Sequence, residues 1–301
     1  MSHTIGIIGY GDIGRALGKI LLEASHPVSV WDRDPAQAPH GVKSLGSIVS
    51  RADVIFLCIP SWAMREALVA IRPHLTPRPR TILVSLAKGI ETATFMTMDE
   101  VLEEVLPQGQ PFALLGGPML ANEMRYGFPG FGVVASGSAA TRTAVLEIFG
   151  GTPLRCETTA DVRGVALGAV LKNIYAMALG IGDGLGWGRN AKGWLVVQAE
   201  REMVSIGIAL GARRATIEGM AGFGDFIATA TSPYSRNREA GEQFVSVGII
   251  SLNAEGMVSL PSLVRRMNRK RVALPPLAKA LHDVVVAKKN VRFVFNALLS
   301  R

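Results

Sequence analysis

Thr4–Gly14 reads TIGIIGYGDIG, and the interpretation of the whole fold turns on it. Thr4 to Gly9 is a short apolar run closed by glycine, as expected of a buried strand. Gly9, Gly11 and Gly14 then form a G-x-G-x-x-G turn, and RALGKILLEA at 15–24 continues with helical periodicity. In such a turn the first glycine permits a tight bend and the second lets the backbone approach a diphosphate. The third lets helix and strand pack closely, and the free amides at the helix start favour the anion. Strand, turn and helix in this order make Gly9, Gly11, Asp12, Ile13 and Gly14 a candidate dinucleotide site, which the glycines alone would not.

Moving outward, a second strand is expected at Val28–Trp31, with Asp32 at its end, 18 residues after Gly14. From there a carboxylate reaches the adenosine ribose hydroxyls and repels a 2′-phosphate, whereas the adjacent Arg33 could attract one or stack on adenine. The pair leaves NAD and NADP both open, with a lean toward NAD. Further strands are expected at Asp53–Ile59, closed by Pro60, and at Thr81–Leu86, Pro111–Leu115 and Phe131–Ala135, with a helix at Ala63–Ile71. Apolar strands alternating with amphipathic segments indicate a mostly parallel sheet covered on both faces. Lys88 stands just past a strand's carboxyl end, the edge where such sheets bind ligands. GGPMLANEMRYGFPG at 116–130 reads as an irregular segment long enough to contribute to a site.

After Gly150 and Gly151 the strand rhythm is expected to end and helices to follow from Val162. This divides the chain into a dinucleotide-binding domain, 1–158, and a helical substrate domain, 159–301, with a cleft between them. LGAVLKNIYAMALGIGDGLGW at 167–187 carries a single lysine, Lys172, in a long apolar run. Its ammonium must either reach solvent along its own stem or meet an anion in a cleft. Downstream, Asp225 follows a glycine-rich turn, and Ser235, Arg236 and Asn237 offer a phosphate-gripping fork and hydrogen bonds to an alcohol. NAEG at 253–256 is a weaker signal.

Composition bounds the rest. With 49% hydrophobic and 19% charged residues in 301, the chain has ample material for a core. No signal peptide or membrane span is read. Two cysteines, Cys58 and Cys156, do not make a disulfide framework, so a cytoplasmic setting is expected. The net charge of +8 comes without zinc-finger or RNP spacing, which argues against nucleic acid and fits an anionic substrate. The five histidines are dispersed and no metal is implied. The densest basic cluster, Arg265 to Arg271, reads as a solvated face.

The chain resembles the bacterial NAD(P)-dependent glycerol-3-phosphate dehydrogenases. The resemblance is carried by GYGDIG at 9–14, AKGIE at 87–91, GGPMLANE at 116–123 and LKNIYAMALGIGDGLGWGRN at 171–190, followed by GMAGFGD at 219–225, SRNREAG at 235–241 and AEG at 254–256. It implies a Rossmann-like α/β domain followed by an all-helical domain, usually in a homodimer. The implied reaction is reversible hydride transfer between sn-glycerol 3-phosphate and dihydroxyacetone phosphate.

By the same resemblance Lys172 is the general acid/base, and Asp225 lies near the substrate, able to orient that lysine. Lys88 contacts substrate and cofactor. Ser235, Arg236 and Asn237 hold phosphate and polyol, with Arg236 also reaching the cofactor. Gly117 and Ala121 supply backbone contacts to substrate and cofactor, and Glu255 lies near the nicotinamide. Three departures stand out: Met119 occupies a family Ser or Thr position, VVQAEREM at 196–203 replaces LxTRGLxEM, and EGMVSL at 255–260 replaces EGxxTA. Two alternatives therefore stand beside this reading: a related dehydrogenase for another phosphorylated or acidic small alcohol, and a dinucleotide sensor or partner-binding protein without turnover.

Overall fold

The computed structural model describes residues 2–38, 44–75, 81–246 and 254–300; Asn253 of the NAEG segment lies outside them. The first half runs β1 (Ile5–Ile8), α1 (Asp12–Glu23), β2 (Val28–Trp31), α2 (Leu45–Val49), β3 (Val54–Leu57), α3 (Met64–Ile71) and β4 (Ile82–Ser85). It continues with α4 (Met98–Val105), β5 (Phe112–Gly116), α5 (Ala121–Arg125), β6 (Gly130–Ala135), α6 (Ala139–Ile148) and β7 (Leu154–Thr159). The strands form one sheet in the order β2-β1-β3-β4-β5-β6-β7, parallel except for the antiparallel β5–β6 pair.

Period-two alternation explains why both faces are covered. Ile5, Ile7, Val54 and Phe56 pack with Leu17, Ile20 and Leu21 of α1 on one side. Ile8, Ile55 and Leu57 pack with Leu68 and Leu102 on the other. Because β1 lies between β2 and β3, successive connections leave it in opposite directions, and a crevice opens at its carboxyl end above Gly9–Gly11.

Two expectations need correcting here. The strands do not end at Gly151: β7 extends the sheet, pairing parallel with β6 from Gly130↔Leu154 to Ala135↔Thr159. Its sequence, LRCETT, is polar because it is an edge strand and largely exposed, so it lacks the apolar run that marks the central strands. The segment at 116–130 also contains one regular helical turn, α5, between Gly117 at φ +109° and Gly127 at φ +86°.

The second half is helical: α7 (Val162–Gly184), α8 (Arg189–Ala209), α9 (Arg214–Glu218), a π-helical turn at Met220–Gly224, and α10 (Asp225–Thr231). It closes with α11 (Arg236–Ser246), α12 (Glu255–Arg269), α13 (Pro276–Val285) and α14 (Val291–Leu299). Helix α7 is buried from Gly164 to Gly182, so it is apolar all round instead of amphipathic. Among the described residues it alone is long and apolar enough to cross a membrane, but that apolar window is entirely buried within the protein, as in a core helix.

Small residues let neighbouring helices touch α7 at the backbone. A Cβ at Gly180 would run into the Arg238 carbonyl oxygen, and one at Gly241 into that of Met177. The VVQAEREM stretch contributes to this packing as well. Glu202 is buried, accepting the Tyr175 hydroxyl at 2.8 Å and the Leu277 and Ala278 amides at 2.7 and 2.8 Å, and so caps α13 from another helix.

The basic cluster near the end is not wholly solvated. Arg266 is buried and donates to Glu100 of α4 at 2.6 and 2.8 Å, while the guanidiniums of Arg265 and Arg269 lie over the Phe95 ring. Burial raises the Glu100 carboxyl, but Arg266, the Thr97 amide and Arg163 outweigh it and bring the group down to about 2. The arginines thus tie α12 to the sheet half of the molecule.

Gly241→Val is expected to destabilise the protein by about 3 kcal/mol, because neither backbone can retreat from the new side chain. Gly193→Ala is the opposite case: it is exposed within α8 with open space around the new Cβ, so it is expected to stabilise by about 0.5–1 kcal/mol. Urea unfolding midpoints measure both.

Candidate active site

The glycine turn is shaped for a diphosphate. Gly9 has φ +91°, and a Cβ there would lie 2.6 Å from the Cys58 carbonyl oxygen. A Cβ at Gly14 would collide with the Gly9 carbonyl, whereas one at Gly11 would meet nothing within 4 Å. The turn is tight underneath and open above the α1 amides, as a closely approaching anion requires. Beyond it, a cavity of about 360 Å³ is lined by Gly9, Gly11, Asp32, Arg33, Trp62 and Glu66, among others.

Three elements deliver the charged centre. Lys88 follows β4 at the sheet's carboxyl edge, Lys172 stands midway along α7, and Asp225 opens α10. Helix α7 and the π-helical turn meet closely because Gly168, one turn before Lys172, has no side chain: a Cβ there would be 2.8 Å from the Ala221 carbonyl and 3.0 Å from Gly222 Cα. That contact seats the π-helical turn against α7 and brings Asp225 within reach of both lysines. π-Helical turns of this kind recur at functional sites.

Asp225 Oδ1 lies 3.1 Å from Lys172 Nζ, and Oδ2 accepts from Lys88 Nζ at 2.5 Å. Lys172 also donates to Thr229 Oγ1 at 2.7 Å, and Thr229 donates onward to Asp225 at 3.3 Å. Lys88 donates in addition to the Gly117 carbonyl at 3.2 Å. Asp225 is 1% exposed and Lys172 6%, so both charges are largely withdrawn from water. Burial is the main cause that lowers Lys172 to about 8; the Lys88 charge adds to it and Asp225 opposes it. Burial acts to raise Asp225, but the two ammoniums outweigh it and hold the carboxyl below its usual range.

A smaller cavity of about 260 Å³ adjoins this centre through Lys88 and Asn173, with Ile13, Met119, Asn237 and Glu255 also on its wall. Amides stitch that wall together. Asn173 donates to the Lys88 carbonyl at 3.2 Å, Asn237 donates to Asn173 at 2.8 Å, and the Gly256 amide donates to Asn237 at 2.9 Å. Glu255 accepts the Ser61 amide at 2.9 Å and its hydroxyl at 2.7 Å, bridging α12 to the residue after Pro60. Burial raises the Glu255 carboxyl despite these bonds.

The remaining candidates lie further out. Asp32 accepts the Tyr10 amide at 2.6 Å and the Asp34 amide at 2.9 Å. Arg33 lies 3.8 Å from Glu66, and the exposed Arg236 lies 3.9 Å from Asp12 across the mouth between the halves. Ser235 is buried and accepts the Arg238 amide at 3.2 Å, so it caps α11; neither it nor Ala121 lines either of the two cavities described above. Asn173, Thr229 and Ser61 are absent from the sequence-based candidates. Two of them had a usable signal: Asn173 directly follows the lysine, and Thr229 stands one helical turn after Asp225.

Residues 161–296 match the family model described as NAD-dependent glycerol-3-phosphate dehydrogenase C-terminus, and residues 40–141 match its N-terminus. The chain belongs to this family. Its relatives include glycerol-3-phosphate dehydrogenase [NAD(P)+] 2 of Sphingopyxis alaskensis, 33% identical over 99% of this chain and 97% of the relative. The Geobacter sulfurreducens enzyme of the same name, without the numeral, is 33% identical over 100% and 98%. Among solved structures, glycerol-3-phosphate dehydrogenase from Coxiella burnetii superposes with a TM-score of 0.89 at 25% identity, covering 100% of this chain and 99% of that one. A ketopantoate reductase from Ralstonia eutropha, with a TM-score of 0.60 at 18% identity, shares the fold alone. The glycerol-3-phosphate dehydrogenase family thus supplies the frame in which the lysine–aspartate centre is to be understood.

In the free protein, ¹³C-labelled Lys172 is expected to titrate near 8 by NMR. In Asp225→Asn it should titrate lower, because the anion that favours its ammonium is gone.

Proposed function

We propose that this chain catalyses reversible, NAD(P)-dependent hydride transfer between sn-glycerol 3-phosphate and dihydroxyacetone phosphate, with Lys172 as the general acid/base. The observation that carries the reading is the buried Lys172–Asp225–Lys88 cluster beside the smaller cavity. The nicotinamide, when bound, supplies or accepts the hydride. As the ketone carbon receives it, negative charge grows on the carbonyl oxygen; the Lys172 ammonium stabilises that charge, gives the oxygen its proton and is left as the neutral amine. Asp225 and Thr229 hold the Nζ through this change, and Lys88 keeps a second positive charge at the cavity wall. In the reverse direction the neutral amine takes the alcohol proton.

Arg236 and Asn237 offer the substrate phosphate and polyol a guanidinium fork and an amide, with Ser235 shaping the turn before them. Gly117 and Ala121 complete the backbone contacts around substrate and cofactor, and Glu255 borders the nicotinamide side. Asp32 favours NAD, since its carboxylate faces the cavity that would take the adenosine. A homodimer and a cytoplasmic setting complete the reading, the latter supported by the free thiols of Cys58 and Cys156. A second substrate reading, another phosphorylated or acidic small alcohol, is favoured by Met119, which brings a thioether to the cavity where the resemblance implies a Ser or Thr hydroxyl.

The deciding assay follows NADH and NADPH oxidation with dihydroxyacetone phosphate and a panel of small phosphorylated ketones. Turnover with dihydroxyacetone phosphate is expected; oxidation only with another ketone would favour the second reading. Cofactor binding without any turnover would favour a sensor. Lys172→Ala is expected to lower turnover by about 10³-fold while NADH still binds. For ketone reduction, kcat/KM should fall as pH rises through about 8, where the free protein's Lys172 loses its proton. Asp32→Asn should improve NADPH use relative to NADH.

A further inference from the structure

The larger cavity has an apolar side and a charged mouth. Ala63, just before α3, and Ala67 and Ala70 within it recur at helical spacing and leave room for a flat ring, and Glu66 stands on the same face. Across the mouth are Asp32 and Arg33 at the end of β2. The Asp32 carboxylate is held by the Tyr10 and Asp34 amides at 2.6 and 2.9 Å, so it cannot swing over to neutralise Arg33. Glu66 is placed to do so instead: its Oε2 lies 3.8 Å from Arg33 Nη1, with both side chains more than three-quarters exposed.

We propose that Glu66 is a cofactor-selecting residue, which engages Arg33 across the cavity mouth and withholds its guanidinium from a ribose 2′-phosphate. The inference rests on the NAD(P) reading of this cavity. A 2′-hydroxyl makes little demand on Arg33, whereas a 2′-phosphate brings close to two negative charges and needs a free guanidinium fork. With Glu66 in place, the mouth holds two carboxylates against one guanidinium, and one of them lies within ion-pair distance of the Arg33 fork. An exposed pair of this kind adds little to folding, so Glu66 can be replaced without disturbing the core.

The test is fluorescence titration of the full-length protein with NADH and NADPH at low ionic strength, comparing wild type, Glu66→Gln, Arg33→Gln and the double variant. Glu66→Gln is expected to tighten NADPH relative to NADH about fivefold, a gain that shrinks as salt is raised. In the Arg33→Gln background the same substitution should give no gain, because no guanidinium remains to be released. An unchanged NADPH/NADH ratio in Glu66→Gln would overturn the proposal. So would an equal gain without Arg33, which would mean that Glu66 acts by direct repulsion. Failure of the wild type to bind either dinucleotide would instead defeat the cofactor reading, and this inference with it.

Discussion

A single buried carboxylate, Asp225, lies between two ammonium groups that come from different halves of the molecule. Removing one partner from such a cluster leaves an uncompensated buried charge, which costs on the order of 3–5 kcal/mol. The cluster therefore demands that β4, α7 and α10 meet in one arrangement, and glycines make that arrangement sterically possible. Gly168 admits the π-helical turn that leads into Asp225, and Gly180 with Gly241 lets α11 close on α7. The geometry of the charged cluster and the helix packing are thus aspects of the same constraint. Burial, with the second ammonium of Lys88 adding to it, lowers Lys172 from the usual lysine range, while Asp225 opposes the shift and lets the ammonium stay buried.

The charged groups at the opposite end of the cleft differ in kind. Asp32, Arg33 and Glu66 are near solvent, where a pair is weak and screened, so they have little part in holding the fold. They are suited to discriminating between ligands that differ in charge. Between the two ends, the Asn173–Asn237 amide chain and the Ser61–Glu255 bridge connect the sheet edge to three helices with neutral or short-range bonds. The arginines of α12 reinforce the same junction from outside, through Glu100 and Phe95.

Much of the architecture was legible in the chain because its determinants are local. The glycine turn after β1, the apolar runs of β3 to β6 and the uninterrupted hydrophobicity of α7 each depend on neighbours in sequence. The edge strand β7 was not legible, since exposure on one side allows LRCETT to carry the polar residues of a loop. Arg266 misled for a related reason: nothing in a run of arginines reveals that one of them turns inward to a carboxylate 166 residues away. Ser61 is not legible in the chain, because its hydroxyl has no sequence signature until Glu255 is in view.

The sequence by itself determined that a glycine-turn α/β half precedes a helical half, that Lys172 sits in an apolar helix, and that Asp225 follows a glycine-rich turn. These follow from periodicity and steric permissiveness, which act over a few residues. Only the tertiary structure decided that Lys88, Lys172 and Asp225 share one buried cluster, that Ser235 caps a helix, and that Glu66 faces Arg33 across a cavity. Those outcomes rest on close approaches between segments distant in the chain, where the burial of charge depends on the whole fold.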